Sequence, residues 1–355
     1  MVKRIISLDI TRIIAFACIL VIHFNASVCG FERTGAFTYN NSYIPSVWHN
    51  AYLGDIGSIL FFMISGAGLF YSSGFINLKF SSLLRFYKKR FKSIYLMYWV
   101  SLLFVSLLFH NKICSSSDMP SSIVNLLGLS GYLLVGGGDG ILDASLGKFY
   151  MNGEWFLGAI LLLYICYPFF LKIYEISKVF ALVIAVFLNI LIYFGISNVN
   201  FYVYFMSMYI GIIIVSCIKN NSYRYIFYLM LLCIFGASIC EISNNRLLGI
   251  QSNTWSFLYA TIIFCIVVLL FHNVKFPEKI SRALVFISQI SFPAFLIHHH
   301  FASFIGLGYD IVNLDRHKYI ILLILYFSTV YVCSYLMLVF VNYIKQAYSM
   351  IQSCI

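Results

Sequence analysis

Three ionisable side chains stand in the first apolar stretch of the chain: Asp9, Arg12 and His23. An ionisable group inside a bilayer costs a few kcal/mol and usually faces the interior of a helix bundle. Asp9 and Arg12 are three residues apart and can pair on one helix face. Arg12 and His23 lie eleven residues apart, which puts them on one side of a helix, roughly 16 Å apart along the axis. A buried imidazole there indicates proton-transfer chemistry.

Each of these residues also has a simpler interpretation when taken singly. Arg12 fits a snorkelling anchor at the membrane edge, and His23 fits a hydrogen-bonded histidine of the core. The alignment of the pair, with Asp9 behind it, favours function.

A basic run, Arg85 to Lys92, closes the segment 73–92, which has six basic residues and no acidic one. We expect this segment to be a cytoplasmic loop. One interpretation is an anchor on anionic lipid, and the other is a site for a phosphate-rich ligand held by guanidinium groups. The preceding apolar stretch contains Ser65 and Gly66, small residues that allow a backbone or a ligand chain to approach closely.

Two further groups lie near the predicted outer surface. Glu154 and Trp155 begin an apolar stretch, where tryptophan either binds a sugar or belongs to the interfacial aromatic belt. The adjacent histidines 298–300 point in different directions on a helix, which argues against a metal site. We expect His298 to face a polar cavity and its two neighbours to lie at the membrane interface.

The composition decides which elements position these residues. Hydrophobic residues make up 62% of the 355 residues, charged residues 10%, and the mean hydropathy is +0.92. Soluble domains are about 45–50% apolar and about 25% charged, so a soluble enzyme, a disordered chain and a disulfide scaffold are excluded. We predict an all-α integral membrane protein: one domain, 1–355, with about ten transmembrane helices and an interfacial piece at 122–136. The predicted spans are 8–28, 52–72, 92–110, 154–174, 179–195, 199–217, 224–240, 254–272, 283–303 and 319–342.

The net charge of +11 indicates orientation rather than nucleic-acid binding. With the N-terminus inside, all but six of the 23 Lys and Arg residues fall on the cytoplasmic side. Positive charge accumulates on that side of membrane proteins, so we predict an even number of spans and two cytoplasmic termini. The six exceptions are Arg33, Lys112, Lys148, Arg246, Arg316 and Lys318.

Taken together, these residues resemble membrane acyltransferase family 3, the bacterial surface-glycan O-acetyltransferases, over nearly the whole chain. The resemblance rests on Ser7 to Arg12 with His23 eleven residues later, Phe61-Phe62 with Ser65-Gly66, the basic run Arg85 to Lys92, Glu154 to Leu157 with Tyr164 and Pro168, and Ser291 to His298. This chain departs from the family in having Ile94-Tyr95-Leu96 where a proline often follows the basic run. We also expect no fused periplasmic domain.

The resemblance implies a multi-pass enzyme of the bacterial cytoplasmic membrane that takes acetyl from acetyl-CoA and passes it to a glycan or lipid-linked glycan such as O-antigen or capsule. It implies that Arg85, Lys88, Lys89, Arg90 and Ser65 bind the donor. His23, with Arg12 and Asp9, would carry the catalysis, as a general base or through an acyl-histidine. Glu154, Trp155 and His298 would bind the acceptor, and no metal is expected.

The alternative is a transporter or exporter in which buried His23 and Arg12 relay protons or bind the substrate. Transporters often show repeated halves with broken helices, and this chain shows no such repeat. A structural membrane subunit is disfavoured by the charged first helix.

Overall fold

The computed structural model describes residues 4–28, 43–48, 51–74, 78–109, 126–128, 153–193, 201–244, 252–306 and 315–353. This part of the chain contains ten helices and one short pair of antiparallel strands, β1 (Val47–Trp48) and β2 (Ala51–Tyr52); β2 leads directly into the second helix. The helices are α1 Ile6–Val28, α2 Leu53–Ser73, α3 Phe80–Leu108, α4 Glu154–Ile176, α5 Lys178–Tyr193, α6 Phe201–Lys219, α7 Tyr223–Asn244, α8 Ser252–Phe271, α9 Glu278–Gly306 and α10 Arg316–Ser353.

Seven of the helices in the described ranges are long and apolar enough to cross a membrane: α1, α2, α3, α4, α8, α9 and α10. In the described part of the chain α5 covers 16 residues, and α6 and α7 contribute the apolar stretches Val203–Lys219 and Tyr223–Ile239. The predicted all-helical, multi-pass membrane class is confirmed. The number of crossings and the side of each terminus stay predictions, and only 126–128 of the predicted interfacial piece lie within the described residues.

The basic segment differs from its prediction as a loop. Helix α3 begins at Phe80, so the run Arg85 to Lys92 lies on the second to fourth turns of a helix. No Gly or Pro occurs from Phe80 to Leu108, and Arg and Lys are favourable helix residues. The run of basic residues is therefore part of the helix rather than a break before it, and its side chains have helical spacing.

The described residues form two compact units. Unit 1 comprises Met1–Ile22, Ile44–Leu83 and Ile165–Ser288, and unit 2 comprises His23–Tyr43, Leu84–Tyr164 and Gln289–Ile355. The chain passes from one unit to the other within α1, α3, α4 and α9.

In unit 1, helices α2 and α6 touch backbone to backbone. A Cβ atom placed on Gly66 would collide with the carbonyl oxygen of Met208, and one placed on Gly211 would collide with that of Met63. Beside this crossing the rings of Phe62 and Tyr204 stack, with centroids 4.2 Å apart. Gly66 therefore serves the approach of another helix, one of the two uses expected for the small residues of α2.

We expect Gly66→Ala to lower the free energy of unfolding by about 1–3 kcal/mol, because the methyl group forces apart two helices in contact. Gly68 lies on the same helix with no atom within 4 Å of a Cβ placed on it. Gly68→Ala should therefore leave stability unchanged or raise it by up to about 1 kcal/mol through helix propensity. Denaturation in mixed detergent micelles measures both, and equal shifts in the two variants would contradict the close crossing.

Candidate active site

A buried carboxylate organises the start of α1. Asp9 is 3% exposed and accepts two hydrogen bonds from Arg4, from Nε at 2.8 Å and from Nη2 at 2.7 Å. The Ser288 hydroxyl donates to the same carboxylate at 2.6 Å, which connects α1 to α9 within unit 1. A carboxylate taken out of water needs such donors, because an unpaired buried charge is very costly.

Arg12 lies next to this carboxylate and forms a hydrogen bond with the same serine, Ser288. Its Nη1 atom is 4.0 Å from Asp9 and donates to Ser288 Oγ at 3.2 Å. The predicted pairing of Asp9 and Arg12 on one helix face is therefore present, but Arg4 makes the shorter contact. The bidentate bond to Asp9 also raises the pKa of the Arg4 guanidinium.

Three imidazoles meet in unit 2. The His23 ring on α1 lies edge-on to that of His298 on α9, with centroids 4.7 Å apart, and its distance to the His299 ring is 4.9 Å. His298 is buried at 3% exposure, His23 is partly buried and His299 is exposed. The cluster is thus exposed on one side rather than sealed in the core. The structure brings the His299 ring to His23, while its position relative to the membrane interface stays a prediction.

The ring of His298 is fixed by its own helix. Its Nδ1 atom lies 2.6 Å from the carbonyl oxygen of Phe295, and a carbonyl only accepts, so Nδ1 carries the proton in the neutral ring. The Tyr326 hydroxyl of α10 donates to the backbone oxygen of His298 at 3.2 Å. Helix α10 therefore supports the same turn of α9 that carries the histidine pair.

A second buried polar contact lies two residues after His23. Tyr319 donates a hydrogen bond of 2.5 Å to the Asn25 side-chain oxygen, and both residues are 1% exposed. The Phe24 ring packs between those of Tyr319 and Tyr326, at 5.3 Å and 5.6 Å. The end of α1 is thus held against α10, which limits how far the His23 side chain can move.

The predicted donor residues on α3 form one exposed face. Arg85, Lys88 and Lys89 are exposed and recur at positions i, i+3 and i+4, and exposed Lys92 continues the face at i+7. Arg90 lies on another side of the helix, with its guanidinium 5.7 Å from the Phe86 ring. Ser65 is a partly buried residue of α2 in unit 1.

The predicted acceptor residues lie at the start of α4 in unit 2. The ring of Trp155 contacts that of Phe156 at 5.8 Å, and Phe156 packs against Phe295 at 4.5 Å. Phe295 in turn lies 5.3 Å from the His298 ring. Aromatic contacts therefore connect Trp155 to the imidazole cluster, whereas the Glu154 side chain lies outside the described residues.

Sequence reasoning missed Arg4, Ser288, Asn25, Tyr319 and His299. Arg4 sits five residues before Asp9 and could have been found from charge spacing alone. Ser288, Asn25 and Tyr319 carried no signal, because single polar residues in apolar helices occur throughout this chain. No group of three or more His, Cys, Asp or Glu side chains within the described ranges has the geometry to hold a metal ion.

We expect Ser288→Ala to lower the free energy of unfolding by about 1–3 kcal/mol, because the buried Asp9 carboxylate loses a charge-assisted hydrogen bond. Ser207 is a matched control: it is equally buried, but its hydroxyl donates only to Val203 of its own helix. Ser207→Ala should lower the free energy of unfolding clearly less than Ser288→Ala does. Denaturation in mixed micelles makes the comparison, and equal losses would show that the bond to Asp9 does not stabilise the fold.

The comparisons with known proteins identify the family of this chain. Searches of curated proteins and of solved structures found no match to the chain. A family model described as an acyltransferase domain matches residues 5–339. That range includes Asp9, Arg12, the three clustered histidines and the basic face of α3. The resemblance inferred from the sequence motifs is thereby confirmed: this multi-pass membrane protein belongs to acyltransferase family 3.

Proposed function

We propose that the protein transfers an acetyl group from cytoplasmic acetyl-CoA to a hydroxyl of a surface polysaccharide, such as O-antigen or capsule, or of its lipid-linked precursor. The setting is the cytoplasmic membrane of a bacterium. The observation that carries this proposal is the contact of His23 with His298 and His299 at an open cluster on apolar helices. Membership of an acyltransferase family supplies the reaction class.

In the proposed reaction His23 is the general base. The imidazole takes the proton of the acceptor hydroxyl as its oxygen attacks the thioester carbonyl. The carbon–sulfur bond then breaks, the acetyl ester forms, and the imidazolium returns its proton to the departing CoA thiolate. Each turnover thus converts acetyl-CoA and an alcohol into CoA and an ester, and leaves His23 neutral.

The surroundings of His23 suit this role. Neutral imidazole is the form that accepts a proton. His298 holds its proton on Nδ1 through the Phe295 carbonyl, so the ring next to His23 has one defined orientation. The exposed side of the cluster leaves room for the acceptor, which we place near Trp155 and His298.

The donor is assigned by charge. We place the CoA phosphates against Arg85, Lys88 and Lys89, whose exposed side chains share one face of α3 and suit phosphate oxygens. Arg90, on another side of α3, and Ser65 and Arg12, both in unit 1, stay in the proposal as further donor-binding residues. Asp9 acts as a positioning residue, because it holds Arg12 through Ser288.

We expect His23→Ala to reduce acetyl transfer by at least about 100-fold, the usual contribution of a general base, with the protein level unchanged. His317 is an exposed histidine at the start of α10, and His317→Ala serves as the control. Acetate ester formation on the glycan, assayed in membranes, measures both variants. Transfer at the wild-type rate in His23→Ala would remove His23 from the reaction.

We expect the double substitution of Lys88 and Lys89 by Ala to raise the KM for acetyl-CoA about tenfold or more with little change in kcat, because phosphate contacts bind donor and transition state alike. The variant should differ less from the wild type when dephospho-CoA carries the acetyl group. Lys345→Ala, which removes another exposed lysine on the predicted cytoplasmic side, is the control and should leave KM unchanged. Unchanged KM values with a lower protein level would favour a membrane anchor instead.

A further inference from the structure

Within unit 1, a cavity of about 660 Å³ lies where five helix ends meet. Its wall includes residues from the starts of α1 and α9 and from the ends of α2, α6 and α8, ends that the charge pattern assigns to the cytoplasmic side. The volume falls in the range of about 300–1,000 Å³ found for small-molecule sites. The polar lining includes Arg4, Ser7, Lys219, Asn221, His272 and Lys275.

The charge of the lining is positive. Arg4, Lys219 and Lys275 line the cavity, and no acidic residue is among its lining residues in the described part of the chain. The pair with Asp9 uses Nε and Nη2 of Arg4 and leaves the hydrogens of Nη1 outside it. Guanidinium and ammonium donors of this kind favour phosphate oxygens.

Lys219 is held at the wall by its neighbours. Its Nζ atom donates to the carbonyl oxygen of Phe70 at 3.3 Å and lies 4.9 Å and 5.3 Å from the ring centroids of Phe70 and Tyr71. Cation–π contacts of this geometry favour a fixed ammonium group. The positive charge is therefore positioned at the cavity even though the lysine is exposed.

The C-termini of α2, α6 and α8 bring negative character to the cavity, and carbonyl groups at each of these ends have partners. At the end of α2 the Phe70 oxygen accepts from Gly74 N and from Lys219 Nζ. Asn221, with φ of 51°, closes α6, with Asn221 N donating to Ile218 and Ser222 N donating to Cys217. At the end of α8 the His272 Nδ1 atom lies 2.9 Å from the Leu269 oxygen. The helix carbonyls therefore offset the charge of the cationic side chains less than three bare C-termini would.

The start of α1 adds favourable polarity. Helix N-termini carry partial positive charge and unpaired N–H groups. Ser7, in the first turn, lines the cavity, is 1% exposed, and its hydroxyl has no hydrogen-bond partner among the described residues. A buried hydroxyl without a partner is costly, so a ligand that pairs with it would be favoured.

We propose that this cavity is a phosphate-binding site, with Lys219, Lys275 and Arg4 contacting the phosphate. Phosphate can come from a soluble nucleotide-like ester or from the headgroup of an anionic lipid, and the chemistry of the lining serves both. The proposal does not rest on the acyl transfer described above, because it concerns other residues and would hold for any activity of the chain.

Lysine protection tests the site without any substitution. The purified protein is treated with an amine-acetylating reagent, and modification of Lys219, Lys275 and Lys279 is followed by mass spectrometry. Pyrophosphate at about ten times its dissociation constant leaves roughly one site in ten empty, so modification of Lys219 and Lys275 should slow about tenfold. Lys279, an exposed lysine of α9 outside the cavity lining, is the internal control and should react at an unchanged rate.

The source of the phosphate is then distinguished by two arms of the same experiment. Protection by CoA in phosphatidylcholine nanodiscs supports the site with a soluble ligand. Protection of Lys219 and Lys275 when phosphatidylglycerol replaces phosphatidylcholine supports the site, with the lipid headgroup as its ligand. The proposal would be overturned if no phosphate probe slowed the modification of Lys219 and Lys275. It would also be overturned if the probes slowed the modification of Lys279 to the same extent.

A substitution gives the second readout. Lys275→Ala should raise the dissociation constant for pyrophosphate about tenfold, as expected for one lost charge-assisted contact, while Lys279→Ala leaves it unchanged. Unchanged affinity in Lys275→Ala would exclude this lysine from the site. Both readouts are independent of acetyl transfer, so failure of this site would leave the proposed reaction untouched.

Discussion

Polar side chains on apolar helices must find partners inside the protein, because a bilayer offers them none. Two clusters show how this chain meets that constraint. At the start of α1, Arg4, Arg12 and Ser288 surround the Asp9 carboxylate. Near the end of the same helix, His23 meets two imidazoles of α9. The helix that begins the chain is therefore tied to α9 separately within each of the two units.

The two clusters differ in what they can do. A carboxylate saturated by three donors is poorly placed to exchange a proton, so Asp9 is best understood as a positioning group for Arg12. An imidazole cluster that is open on one side keeps a titratable ring within reach of a ligand. This contrast is why we propose catalysis for His23 and a positioning role for Asp9.

Much of this could be predicted from the sequence, because apolar length and ionisable spacing are strong signals. All ten predicted apolar spans overlap helices of the structure, and the pairing of Asp9 with Arg12 followed from their three-residue spacing. Ser288 and Tyr319 could not be foreseen, because their partners lie nearly 300 residues away in the chain. The basic run was predicted as a loop, since its charge marked a membrane boundary but carried no information about where the helix begins.

The central claim is that acyl transfer occurs at this protein, rather than movement of a substrate through it. Purified protein in proteoliposomes, given acetyl-CoA labelled in the acetyl group together with a lipid-linked glycan, tests it most directly. We expect label on the glycan as an ester and release of free CoA in equal amount. Movement of the glycan across the bilayer without label on it would exclude acyl transfer as the activity and favour transport.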